Sequence, residues 1–386
     1  MAQYIHELED WPHFKWDPTV VLPLLAKVGY QQGLLQGTVQ ALGFSQQGLA
    51  SLDALTLETV RTSEIEGDIL DLASVRSSIA HRLNLNMGGF KPNTDKHIEG
   101  VVSMILDATQ GYRLPLTAER LKHWQSLLFL NSKSIVRVHT GAWRNDEYGP
   151  MQVVSGPIGR ERVHFEAPSA DRLEKEMDAF IHWIAEEQNG DPVLKAAIAH
   201  LWFVTIHPFE DGNGRVGRAI TEYLLARSEN SALRFYSLSA QIRTEKNCYY
   251  DSLERTQKGS LDITVWLVWF LNCMLHVFEE SQKTISLCVY KNHFWEDHAN
   301  APINVRQKLM INKLIDGFKG KLTTRKWGII CKCSHDTALR DIQGLLELGI
   351  LQRDSAGGRS TCYSLKIAGD RSRSQDQLTK NSSPTL

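Results

Sequence analysis

Between His207 and Arg218 the chain reads HPFEDGNGRVGR. This short stretch gathers an imidazole, a carboxylate, a glycine-rich turn and two guanidinium groups. The imidazole of His207 titrates near neutrality and can serve as a general base. Asp211 offers the hard oxygen that Mg²⁺ accepts alongside phosphate oxygens. Gly212 and Gly214 flank Asn213, and glycines let the backbone turn tightly and let a ligand approach the amides. Arg215 and Arg218 lie three residues apart, so on a helix they leave from similar faces. Two guanidiniums beside free amides at a helix N-terminus suit a polyphosphate anion. Each piece alone is commoner as a structural histidine, a turn, a cap or a solvated face. Together they predict a site for a metal-complexed phosphate beside a base.

The flanking segments must hold these groups. Before the loop, Asp191-Pro192 supplies a cap and a first-turn proline. LKAAIAHLWFVTI follows and is apolar on nearly every face, which predicts a helix buried in a bundle. Pro208 cannot continue that helix, so His207 should stand where a loop opens. After the loop, Val216, Ile220, Tyr223 and Leu224 predict the core stripe of a second helix. Leu173, Met177, Phe180, Ile181 and Ile184 mark another, with Ser169 as its expected cap. Met151 to Phe165 carries β-branched residues around a Gly/Pro/Ser turn and predicts a hairpin.

The chain has 386 residues, 42% hydrophobic and 23% charged, with a formal net charge of −1. That is ordinary for a globular protein, and the balance points to neither a nucleic-acid nor a membrane partner. The acidic start MAQYIHELEDW argues against a secretory leader. The apolar run Ile263 to Leu275 is too short to span a bilayer. The six cysteines are sparse and read as reduced thiols of a cytoplasmic protein. Cys331 and Cys333 lack the companions of a four-ligand metal site.

His207, Phe209, Asp211, Gly212, Asn213, Gly214, Arg215 and Arg218 fill every fixed position of the Fic signature, so the segment resembles the Fic family. The resemblance implies a mainly α fold: a Fic helical bundle with a β-hairpin flap. It also implies transfer of AMP from Mg·ATP to a Ser, Thr or Tyr hydroxyl of a target protein or of the chain itself, with pyrophosphate leaving. On this resemblance His207 is the base and Asp211 holds Mg²⁺. The amides of Gly212 and Gly214, with Asn213, meet the α-phosphate, and Arg215 and Arg218 bind the outer phosphates. Tyr249, Tyr250 and Gln257 stand where the family places adenosine contacts, although core packing explains the tyrosines equally well. The hairpin resembles the family's flap, with Val153, Val154, Ser155 and Gly156 docking the target as an added strand.

LETVRTSEIEGDIL, Leu57 to Leu70, has a helical pattern and contains Thr62, Glu66 and Gly67. It resembles the inhibitory motif of regulated Fic proteins, in which Glu66 would pair with Arg218. Thr323 to Leu365 reads as helix, turn, helix and hairpin, with Ser334 as a cap and Leu339, Ile342 and Leu346 on one face. It resembles a winged helix. From Val305 to Leu365 there are 11 Lys/Arg against 5 Asp/Glu, which leaves DNA binding open while packing or protein docking is favoured. The expected organisation is an N-terminal helical regulatory region (1–115), a Fic catalytic domain (116–299), a winged-helix module (300–366) and a disordered tail (367–386). A homodimer is left open. The rivals are transfer of another nucleotide or phosphate-linked group, removal of AMP, and a DNA-binding regulator whose Fic domain senses a ligand.

Overall fold

The computed structural model describes residues 4–85, 95–130, 139–147, 149–157, 159–186, 190–318, 320–354 and 361–366. The chain separates into two compact units, residues 1–285 and 286–386.

The first unit opens with α1 (Pro18–Gln40), α2 (Phe44–Ile65), α3 (Leu72–Arg82), α4 (Lys96–Gln110) and α5 (Ala118–Leu127). Side chains of Asp17, Asp71, Asp95 and Thr117 cap α1, α3, α4 and α5 by accepting from first-turn amides. A hairpin follows, β1 (Gln152–Ser155) antiparallel to β2 (Arg162–Glu166). The unit continues with α6 (Leu173–Ala185), α7 (Pro192–Ile206), α8 (Asn213–Ser228), α9 (Leu238–Thr244) and α10 (Lys246–Gln257). The long α11 (Thr264–Asp297) contributes residues to both units.

The centre of this unit is α7. Asp191 accepts from the amides of Val193 and Leu194 at 2.8 and 3.3 Å, and Pro192 takes the first helical position. Beyond Pro192 every residue of α7 is buried except the half-buried Lys195. A helix apolar all round has no solvent face to give up, so it goes to the middle. It packs chiefly on α8, which also meets α2, α4 and α5. His200, caught in this core, meets Thr221 and Tyr249 at 2.9 Å each. Burial pushes its imidazole down to about 3, so it is neutral at physiological pH. Arg234 joins Glu222 and Glu229 at 3.0 and 2.6 Å.

The second unit holds α12 (Val305–Ile315), α13 (Thr324–Cys331), α14 (His335–Glu347) and an antiparallel pair, β3 (Leu351–Arg353) and β4 (Tyr363–Leu365). An isolated bridge from Leu322 to Tyr363 adds a third extended segment. Trp327 is fully buried, among Ile311, Ile342, Leu345 and Tyr363. Ser334 caps α14 by accepting from the Thr337 amide.

Three local expectations are corrected. The helix through Thr62 does not run on to Leu70; α2 stops at Ile65, Glu66 is its C-cap, and Gly67 has a φ of +85°, the left-handed step that ends many helices. Ser169 makes no side-chain cap and instead precedes a single 3₁₀ turn. Leu339 is 45% exposed, and the buried stripe of α14 is Ala338, Asp341, Ile342 and Leu345. The stripe starts one residue earlier because Asp341 turns inward to Arg306 at 2.7 Å. The turn at Ser355 to Gly358 and the tail from residue 367 lie outside the described residues.

Asp191→Ala should destabilise the first unit by about 1 kcal/mol, the usual cost of a lost N-cap. Urea denaturation followed by the fluorescence of its tryptophans measures it; an unchanged midpoint would contradict the role given to this cap.

Candidate active site

His207 ends α7 in the left-handed conformation, φ 52° and ψ 57°. A non-glycine residue adopts this only where its surroundings insist. Here the His207 amide still donates to the Phe203 carbonyl at 3.0 Å, while its own carbonyl accepts from Arg144 Nε at 2.8 Å. The Arg144 amide donates to the Pro208 carbonyl at 2.9 Å, so one buried arginine clamps both peptide groups of the exit. His207 Nδ1 lies 3.2 Å from the Val204 carbonyl and can only donate there. That assigns the proton to Nδ1 and leaves Nε2 with a free lone pair. Burial, helped by the positive Arg144, pulls the imidazole down to about 4 against the opposing pull of Val204, Glu66 and Asp211. His207 is therefore neutral and able to accept a proton at pH 7.

The loop beyond is closed by its own side chains. Asn213 accepts from the Phe209 amide at 2.9 Å and donates to the Phe209 carbonyl at 2.7 Å. Phe209 is fully buried, with Trp143 at 5.0 Å between ring centres. Gly212, at φ +90°, precedes the first turn of α8, and a methyl group there would meet Leu128 at 2.9 Å. Gln125 donates to the Asp211 carbonyl at 3.3 Å and accepts from the Gly141 amide at 2.6 Å. The Asp211 carboxylate stays 58% exposed. Backbone and amide side chains thus fix the turn, and the carboxylate is left facing outward.

Arg218 is the most confined charge of the site, 1% exposed. Its Nε donates to Thr62 Oγ1 at 2.7 Å, and its Nη2 to the Thr62 carbonyl at 2.9 Å and Glu66 Oε1 at 2.8 Å. Burial works against both charges. The attraction of Arg218, with Arg215 and Lys246 behind it, nonetheless keeps the Glu66 carboxyl below its ordinary range, and Glu66 raises Arg218 in return. The Glu66 carboxylate lies directly over the start of α8: a β-carbon on Gly214 would come within 2.2 Å of Oε1. An anion from another part of the chain therefore sits where helix amides and a guanidinium converge. Arg215 faces the same segment, with Nη1 3.7 Å from Asp68 and Nη2 3.9 Å from Asp211. Among the described residues Arg218 Nη1 and Arg215 Nε are buried and have no hydrogen-bond partner of good geometry, although the Tyr249 hydroxyl lies beside Arg218.

The hairpin carries Val153, Val154 and Ser155 on β1 and Gly156 in the turn at φ +106°. The loop residues 207–218 and Glu66 form one cluster. Tyr249 is buried with its hydroxyl on His200, and Gln257 is buried and donates to Thr205 at 3.2 Å, so both are tied into the bundle. Tyr250 is 38% exposed, and burial of its hydroxyl beside Glu66 raises it to about 12.

Residues 115–225 match the Fic/DOC family, and residues 4–85 match a domain of unknown function, DUF4172. The first match spans the loop, its clamp, all of α7 and most of α8. Residues 115–225 form a Fic/DOC family domain. Among curated proteins, the chain resembles Protein adenylyltransferase Fic of Drosophila mojavensis, 26% identical over 231 residues, which are 58% of this chain and 39% of that protein. The same-named protein of Aedes aegypti is 27% identical over 214 residues, 54% of this chain and 38% of that one. The chain thus matches about two-fifths of the length of these relatives. A solved Fic family protein from Desulfovibrio desulfuricans G20 has the same fold, with a TM-score of 0.53 and 22% identity over 93% of this chain and 99% of that one. The mainly helical Fic fold with a small hairpin accords with that likeness. No helix among the described residues is long and apolar enough to cross a membrane.

Sequence reasoning missed four residues around the Fic loop. Arg144 clamps His207, and Gln125 holds Asp211. Asp68 faces Arg215 and accepts from His97 at 2.7 Å. Lys246 donates to the Ile65 carbonyl at 2.5 Å and pins the end of α2 beside Glu66. Each acts on backbone or across a long sequence gap, so no spacing signals it. Removing Glu66 should free Arg218 for an incoming phosphate. One charge-assisted contact of about 1.5–3 kcal/mol predicts roughly 10- to 100-fold tighter binding of pyrophosphate to Glu66→Gly, read by calorimetry. Equal affinities would show that Glu66 does not compete for the anion.

Proposed function

We propose that the chain is an auto-inhibited protein adenylyltransferase, moving AMP from Mg·ATP to a hydroxyl of a protein. The observation that carries this reading is the pair of buried, unpartnered nitrogens, Arg218 Nη1 and Arg215 Nε, beside the free amides of α8. Buried donors without acceptors are costly, and they await an anion. The relatives named protein adenylyltransferase support ATP as the source of that anion and AMP as the group moved.

In this reading Arg215 and Arg218 hold the outer phosphates and the Gly214 amide faces the α-phosphate; the Gly212 amide, which donates to Asp211 Oδ1 at 2.6 Å, joins it once that carboxylate turns to Mg²⁺. Asn213 acts by keeping the loop closed, since both ends of its side chain are spent on Phe209. His207 Nε2 takes the proton of the target hydroxyl, whose oxygen attacks the α-phosphorus, and pyrophosphate leaves. Among the described residues no group of three His, Cys, Asp or Glu could hold a metal. The exposed Asp211 carboxylate fits the other arrangement, one protein oxygen completed by phosphate oxygens and water. Mg²⁺ held by Asp211 would supply charge neutralisation. The target strand would add to the hairpin edge at Val153 to Gly156, main chain to main chain.

Glu66 is the brake. It occupies the outer-phosphate site, so a nucleotide bound beside it sits out of line for attack. In the second unit, the order of α12, α13, α14, β3 and β4 supports a winged helix.

Purified wild-type, Glu66→Gly and Glu66→Gly/His207→Ala chains incubated with Mg²⁺ and α-labelled ATP test this reading. Label on protein should rise at least tenfold in Glu66→Gly, and the double variant should lose it at every site that His207 serves as base. Absence of label in all three would sink it. The pH profile supplies a second check. His207 is lowered to about 4 from 6.5, so its base form survives well into acid. The acid limb of kcat/KM for Glu66→Gly should fall below pH 6.5, toward 4; a limb above 6.5 would assign the base elsewhere.

A further inference from the structure

Outside the loop, the hairpin carries a second chemical constellation. Ser155 Oγ lies 2.6 Å from His164 Nε2, and His164 Nδ1 lies 2.6 Å from Glu254 Oε2. Glu254 comes from α10, so three elements meet: β1, β2 and α10. Glu254 also accepts from Lys258 at 2.7 Å and Arg162 at 3.1 Å. Burial opposes its charge, but Lys258, His164 and Arg162 hold the carboxyl down to about 2.

A carboxylate can only accept, so His164 Nδ1 must be the donor to Glu254. In the neutral imidazole Nε2 then carries the lone pair, and the Ser155 hydroxyl donates to it. The backbone is bent to allow this. The strand register shifts between Val153 and Val154, and His164 is left without a partner across the ladder. Bulges of this kind re-aim a side chain. Arg162 is the cross-strand partner of Ser155 and therefore shares its face. Ser155 itself is exposed. A clasp needs only His164 and Glu254; a hydroxyl in line on the far nitrogen is the arrangement of an activated nucleophile.

We propose that Ser155 is a nucleophile of this chain, activated by His164 and Glu254, that accepts a group from a phosphorus electrophile. The Ser155 oxygen forms the new bond to phosphorus, His164 Nε2 takes the hydroxyl proton, Glu254 stabilises the imidazolium, and the leaving group departs with its electron pair. Arg162 faces the charge that builds on the phosphoryl oxygens. The identity of the donor rests on the function proposed above: it is the α-phosphorus of ATP, with pyrophosphate leaving, so Ser155 is a self-modification site. The activation of Ser155 does not rest on that reading.

Two arms separate these statements. The full-length wild-type chain is treated with a fluorophosphonate, whose fluoride leaves, and is mapped by peptide mass spectrometry. Ser155 should carry the adduct; Ser155→Ala should lose it, and His164→Gln should slow it by about 10²- to 10⁴-fold, the usual contribution of a general base. No adduct on Ser155, or one formed at the same rate in His164→Gln, overturns the proposal. In the second arm Glu66→Gly is incubated with Mg·ATP. AMP on Ser155, lost in Glu66→Gly/His164→Gln, establishes the donor. AMP found only on other residues overturns self-modification at Ser155. A fluorophosphonate adduct with no AMP anywhere would instead count against the transferase reading and leave Ser155 activation standing.

Discussion

A guanidinium with almost no exposed surface cannot be left to chance in a folded chain. Arg218 brings five N–H donors into the bundle, and each unpaired donor there costs free energy. Thr62 and Glu66 supply the acceptors from more than 150 residues away in sequence. Much of the first unit follows from that requirement. α2 must end at Ile65 so that Glu66 can turn over Gly214, and Gly67 provides the left-handed step that makes the turn. The carbonyl exposed by that ending is met by Lys246. Among the described residues the same contacts leave one nitrogen of Arg218 without a hydrogen-bond partner, so the site is filled but not satisfied.

The loop itself is held before any ligand arrives. His207 and Gly212 both adopt left-handed backbone, and the Asn213 side chain closes the stretch between them through Phe209. Arg144 locks the His207 carbonyl, and Phe209 anchors the turn in the core. Strain of this kind persists only where the surroundings over-determine it. It keeps the His207 nitrogen and the α8 amides in fixed relation, which is the arrangement a transfer reaction needs from its enzyme.

The helix around Ala197 and the loop after it were legible because their signals are local. Asp191-Pro192, the unbroken apolar run and His207-Pro208 each act within a turn or two. The Glu66–Arg218 pairing was legible only through the family resemblance; spacing alone would have left Glu66 on a solvated face. The end of α2 was misplaced because the run from Leu57 to Leu70 reads as one helical pattern, which the left-handed Gly67 interrupts. Arg144, Gln125 and Lys246 left no trace, since each bonds a distant backbone group that any sequence possesses. Tyr249 and Gln257 are a different case: a resemblance places them at a ligand, and in the fold their polar atoms also meet His200 and Thr205 of α7, with Arg218 beside Tyr249.

One face of α10 joins the two ends of the proposed mechanism. Lys246, Tyr250 and Glu254 follow one another at four-residue intervals and so share a side of the helix. Lys246 holds the carbonyl that precedes Glu66, Tyr250 lies within the field of Glu66 and Arg218, and Glu254 holds the hairpin through His164 and Arg162. The carboxylate proposed as a brake and the strand proposed to receive a target are therefore set against the same helix. A shift of α10 would move both, whereas a change confined to Glu66 moves one. The Glu66 carboxylate can then be removed by a single substitution while the hairpin keeps its place, because the helix set against both is fixed independently by Tyr249 and Gln257 in the core.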